Sequence, residues 1–212
     1  MADPGGSFLP SGGGWYPEIG SGPFTYRLSL DLPAGQRGLV PGRLIDERAD
    51  GGRYQATFAF EHPAEGIDLV AGPYAVRERI ARRAGGEPIR FRTYLHSEIA
   101  DLADEYLSAM DAYVDLYSRW IGPYPFTEFS VVSSPLPTGF GMPTFTCLGI
   151  RVLRLPFIRQ TSLGHEILHN WWGNGVYVDF ASGNWSEGLT AFMADYTYKE
   201  REGADAARDA RL

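Results

Sequence analysis

The stretch "SLGHEILHNWWGNGVYVDFASGNWSEGLTAF", residues 162–192, decides how this chain is read. It holds two of the four histidines, four residues apart, with a glutamate beside the first. His165-Glu166-Ile167-Leu168-His169 fits an H-E-x-x-H pattern, in a run that predicts a helix from about Gln160 to Trp172. Four residues advance a helix by about 400°, so both imidazoles leave one face, about 6 Å apart along the axis. That spacing suits two nitrogen ligands on one tetrahedral zinc ion. Glu166, turned about 100° from His165, lies beside such a metal without being needed as a ligand, where it can act as a general base.

A catalytic zinc needs a third protein ligand and an open position. Glu187 is the candidate. Ser186 can cap a second helix there, and "EGLTAFMADY" carries apolar residues at a helical repeat. A carboxylate in its first turn can face the first helix across the metal. The helix dipole alone also favours an N-terminal glutamate; the neighbouring H-E-x-x-H pair is what makes it a ligand candidate. Asp195, two turns on and about 80° round, is a candidate to orient a ligand histidine. The expected cofactor is one zinc ion per chain, held by His165, His169 and Glu187. His62 and His96 read as ordinary core or surface histidines.

Working outward, the 212 residues allow a real core. With 44% hydrophobic and 21% charged residues, the composition is that of a globular protein. A formal charge of −7 argues against a nucleic-acid partner. The densest basic run, "RERIARR" at 77–83, reads as a solvated segment between strands. The single cysteine, Cys147, excludes an internal disulfide and a thiolate metal cluster, and its apolar run makes it a buried small hydrophobe. Nothing in this sequence resembles a signal peptide or a transmembrane segment, which leaves the compartment unassigned.

Residues 1–24 are rich in Gly, Pro and Ser and predict irregular structure. "YRLSLDLP" then alternates with period two, and "RYQATFAFE" repeats the pattern after a "DGG" turn at 50–52. "IDLVAG", "YAVRERI" and "IRFRTYL" are further strands, so residues 25–95 read as an antiparallel β module. After His96 the period changes to three and four through Ile99, Tyr106, Met110, Tyr113, Tyr117 and Trp120. This predicts a long amphipathic helix, with Ser97 as N-cap and "GPYP" at 122–125 as stop. "FSVVSS" at 129–134 and "TFTCLGIRVLRL" at 144–155 predict strands around a Pro/Gly-rich loop. The last residues still read as helical, so the chain reads as cut, and self-association through surfaces exposed by truncation is expected.

"HEILHNWWGN" followed by "NWSEGLTAF" resembles the zinc site of the alanyl-aminopeptidase family of gluzincins, peptidase family M-one, whose relatives include leukotriene-A-four hydrolase. The resemblance implies an α+β fold: an N-terminal antiparallel β module (25–95), then the first half of a thermolysin-like catalytic domain with mixed strands and helices (96–212). It implies His165, His169 and Glu187 as ligands, Glu166 as base, and Trp172, Gly173 and Asn174 as framework. It also implies a substrate strand at "TGFGMPTFT", where Gly139, Gly141 and Met142 would bind a peptide substrate through the backbone.

Three departures stand out. The spacer from His169 to Glu187 holds 17 residues, one fewer than the family's, and Ser186 replaces its asparagine. Pro143 stands where the family's glutamate grips the substrate's amino group, and it supplies neither a carboxylate nor an N–H. The family's oxyanion-stabilising tyrosine and C-terminal helical domain would lie beyond residue 212. The reading is therefore a zinc metallopeptidase of aminopeptidase type, acting by Glu166-assisted attack of a zinc-bound water. Two alternatives stay open: an inactive peptidase-like fragment that binds metal, peptide or a protein partner, and a zinc hydrolase of non-peptide substrates.

Overall fold

The structure, a computed structural model, describes residues 2–17, 20, 22–83, 86–137 and 139–211. Two antiparallel sheets build the first part from β1 (Ala2–Asp3), β2 (Gly6–Leu9), β3 (Phe24–Pro33), β4 (Arg37–Leu39), β5 (Arg43–Asp50), β6 (Arg53–Ala64) and β7 (Leu69–Gly72). One has the order β1-β2-β7-β4 and the other β3-β6-β5. The alternation along β3 and β6 holds: Leu30, Tyr54, Ala56, Phe58 and Phe60 are buried while Arg27, Ser29 and Asp31 face solvent. The N-terminal segment is less irregular than its composition predicts. β2 satisfies its backbone by pairing along β7, with Ser7 opposite Ala71 and Leu9 opposite Leu69.

A single residue, Pro73, separates β7 from β8 (Tyr74–Ala81), which turns into a new sheet with β9 (Ile89–His96). There follow α1 (Ala103–Trp120), β10 (Glu128–Ser134), β11 (Gly139–Met142), β12 (Phe145–Gly149), α2 (Ile150–Leu153), α3 (Ser162–Leu168), α4 (Trp185–Ala191), a π-helical segment Phe192–Tyr196, α5 (Thr197–Glu202) and α6 (Ala204–Asp209). This third sheet runs β11-β12-β10-β9-β8, with β10 parallel to both neighbours and the other pairs antiparallel. It straddles residue 95, where the change of period placed a boundary. β8 and most of β9 lie before that point, yet β9 pairs with β10 beyond it. The fold is α+β, antiparallel first and mixed after.

Each face of this sheet meets its own core. On one side Phe91, Phe129 and Val131 pack with Tyr106, Met110 and Val114 of α1 and with Leu163 and Ile167 of α3. On the other, Tyr94, Val132 and Phe145 pack with Phe58, Val70 and Leu30 of the β module. Covered on both faces, β10 is buried at every position, as parallel strands usually are. Charged groups tie module to sheet as well. Arg90 reaches Glu128 at 2.8 Å, and Glu128 accepts the Leu44 N–H at 3.0 Å. Arg92 bridges Glu47 and Glu78, each at 2.6 Å.

Several local expectations are corrected. Ser97 does not cap α1; residues 97–102 form a 3₁₀ segment with a kink at Ile99, and Leu102 precedes the α-helix. The apolar run 144–155 is a strand only to Gly149, after which α2 begins. Most of "RERIARR" lies in β8 itself. Cys147 is buried, as expected, and burial pushes its thiol up to about 12. His96 is held between the Ser133 hydroxyl at 2.7 Å and the Gly5 carbonyl at 2.8 Å. No described helix is long and apolar enough to cross a membrane.

Candidate metal centre

The motif helix is short. Leu163, Ile167 and Leu168 bury one side of α3, which leaves His165 and His169 on the other, with His169 as the last residue in helical geometry. The chain then tightens, Asn170 N–H donating to Ile167 O and Trp171 N–H to Leu168 O. Gly173 allows the reversal at φ +111°, where a Cβ would lie 3.0 Å from the Ser186 hydroxyl. The predicted helix to Trp172 thus ends earlier, because the turn that brings Glu187 back needs those residues.

That return is set by two side chains. Asn184, not Ser186, caps α4, its Oδ1 accepting the Glu187 N–H at 3.4 Å. Ser186 is buried and donates to the Trp172 carbonyl at 2.6 Å. Glu187 is thereby placed in the first turn of α4, opposite the histidines.

The three groups converge. Glu187 Oε1 lies 3.1 Å from His165 Nε2, and its Oε2 lies 3.3 Å from His169 Nε2. The two Nε2 atoms are 3.2 Å apart, and one ligand atom from each residue falls within 4.8 Å of the others. The far ring nitrogens are committed elsewhere. His165 Nδ1 donates to Asp195 Oδ2 at 3.1 Å, and His169 Nδ1 donates to the Trp172 carbonyl at 3.1 Å. In the neutral rings each Nε2 then carries the lone pair, and the two crowd one point with a carboxylate. A cation satisfies that arrangement, and two imidazoles with one carboxylate are a zinc donor set. The residues present fit the metal.

Asp195 reaches His165 from the π-helical segment. In a regular helix it would point about 80° away from Glu187. The wider turn changes that phase, and such turns are frequent at functional sites.

Glu166 is largely enclosed, and burial pushes its carboxyl above the ordinary range, while His165 and His169 pull the other way. Its Oε2 faces β11: a Cβ built on Gly141 would fall 2.5 Å from that oxygen. β11 is an edge strand, antiparallel to β12, with Gly139, Phe140 and Gly141 exposed and Met142 buried. Thr138, the first residue of the predicted substrate stretch, lies outside the described residues. The structure thus brings His165, Glu166, His169, Glu187 and Gly141 together. Gly139 and Met142 stand on the same strand. Beyond it, a cleft of about 320 Å³ is lined by Pro143, Gly173, Asn174 and Tyr177 and, from the β module, by Glu65 and Asp68.

No family model matches the sequence, and no curated protein matches it. Solved structures do. An M1 zinc metallopeptidase from Deinococcus radiodurans is similar with a TM-score of 0.65 at 20% identity, over 95% of this chain and 47% of that one. A variant of that peptidase bound to a Tyr-Ser-Ala substrate is similar with a TM-score of 0.58 at 20% identity, over 88% of this chain and 43% of that one. The chain spans less than half the length of these structures. Over that length it has the fold of the N-terminal part of the M1 zinc metallopeptidases.

Proposed function

We propose that this chain carries the metal-binding half of a zinc-dependent peptidase, aminopeptidase-like in descent. The supporting observation is the convergence of His165, His169 and Glu187 within 4.8 Å, with Glu166 beside them under an edge strand. A zinc ion held by these three residues supplies Lewis-acid chemistry, polarising a carbonyl and acidifying water. Asp195 and the Trp172 carbonyl keep the imidazoles oriented. Glu166 takes the proton of the attacking water at its carboxylate and passes it to the departing nitrogen. β11 offers its free edge to an extended peptide, with Gly141 leaving room above Glu166.

The similar structure bound to Tyr-Ser-Ala supports a peptide as substrate. Pro143 puts no carboxylate where the resemblance implies an amine-gripping glutamate, and the acidic groups of the cleft, Glu65 and Asp68, lie on its β-module wall. A peptide and its N-acetylated form should be cleaved at rates within about tenfold of each other, since no carboxylate stands at position 143 to select a free amine.

Zinc content of dialysed protein tests the centre first. Wild type should hold one zinc per chain, and Glu187→Ala should lose more than about 100-fold in affinity. Glu166→Gln should keep zinc and lose about 10²–10⁴-fold in peptide hydrolysis. Folded wild type without zinc would sink the proposal.

A further inference from the structure

One side chain that touches no metal donor connects the edge strand to the motif helix. Asn170, fully buried, directly follows the second histidine. Its Oδ1 accepts the Thr144 N–H at 2.9 Å, while its amide donates to the Ile167 carbonyl at 3.2 Å and the Glu166 carbonyl at 3.4 Å. Thr144 is the only non-glycine residue with positive φ among those described, at +68°. A β-branched side chain rarely sits there, so its surroundings must hold it. They do so at three points: besides Asn170, the Thr144 hydroxyl accepts the Gly42 N–H at 2.9 Å and its carbonyl accepts the Ser130 N–H at 2.9 Å.

Thr144 lies two residues beyond the end of β11 and three beyond Gly141, the residue against which Glu166 rests. Whatever fixes Thr144 to α3 fixes the height of β11 over that carboxylate. We infer that Asn170 is a positioning residue: through the Thr144 N–H it sets the height of β11 over Glu166, and with it the position of the free edge along which an extended peptide lies. The inference deepens the peptidase reading and rests on it for its functional meaning.

The test uses the full chain loaded with zinc, as wild type, Asn170→Ala and Asn170→Asp. Aspartate keeps an acceptor for the Thr144 N–H and loses the donor to the helix carbonyls; alanine loses both. Hydrogen exchange is read at the amides of Gly141, Met142 and Thr144, relative to the most protected amides of β10. Alanine should raise exchange at least tenfold at these positions with zinc still at one per chain, and aspartate should restore most of the protection. On an internally quenched peptide, alanine should raise KM at least fivefold with kcat within about twofold. Unchanged exchange in the alanine variant overturns the inference, and so does an aspartate variant as unprotected as alanine, which would assign Asn170 to the helix end alone. Loss of zinc with β11 still protected overturns it too. If wild type binds zinc but cleaves no peptide, the peptidase reading fails for this chain acting alone, and the exchange results still decide the clamp.

Discussion

Among single residues, Asp195 shows how a site reaches beyond its ligands. Its carboxylate accepts the hydrogen bond of the His165 Nδ1–H and so turns Nε2 toward Glu187 and His169. Partners of this kind contribute about 10–100-fold to metal affinity. Asp195→Asn should therefore weaken zinc binding by about that factor in a chelator competition, with the circular dichroism spectrum unchanged. An affinity equal to wild type would remove Asp195 from the centre. The candidate ligand set was legible because four-residue spacing in a helix is a geometric statement, and His165, His169 and Glu187 do meet. Asp195 could be proposed but not placed, since regular helix geometry turns it aside and nothing in "FMADY" announces a π turn. Asn170 carried no signal at all: its partner, Thr144, lies 26 residues away.

Among elements, α3 packs closely on the helices around it because of one glycine. A Cβ on Gly164 would lie 2.0 Å from the Tyr198 hydroxyl and 2.7 Å from that of Tyr117. Those hydroxyls are hydrogen-bonded to each other at 2.7 Å, so neither moves aside freely. Helix propensity favours alanine over glycine by about 1 kcal/mol; overpacking costs about 1–3 kcal/mol. The clash should win, and Gly164→Ala should be destabilised by up to about 2 kcal/mol in urea denaturation, a stabilised variant being the contrary result. Element type was readable from period wherever one face is buried, as in β3, β6 and α1. It failed at Ile150–Leu153, where the short, mostly apolar stretch Ile-Arg-Val-Leu fits strand and helix alike. It also chose Ser186 over Asn184 as the cap. Both are capping residues, and the Trp172 carbonyl that recruits Ser186 is a tertiary partner.

In the whole molecule, module and mixed sheet meet across a charged seam. Burial pushes Glu128 up to about 7 from an ordinary 4.5, against the pull of the Leu44 N–H and Arg90. Between those pH values the native chain keeps a proton that the unfolded chain has released. The group's contribution to stability is therefore fully present below about pH 4.5 and falls as pH rises to about 7, by at most about 3 kcal/mol. Glu128→Gln, which cannot ionise, should flatten the stability–pH curve across that window. The same slope in both proteins would show that Glu128 titrates normally. Which sheet each strand joins was not legible in the sequence. β8 and β9 alternate in the same manner whichever partner they find, and only the pairing of β9 with β10 assigns them.

Pro73 gives that assignment a mechanical meaning. One residue with a fixed φ joins the last strand of the module to the first strand of the sheet that carries β11. There is no linker at this corner to act as a hinge. Any widening of the cleft between Asp68 on one side and Pro143 on the other must break hydrogen bonds, at Thr144 and Gly42 or at Glu128 and Leu44, because there is no slack chain at Pro73 to swing on. The width of that cleft is thus tied to breakable contacts of known address.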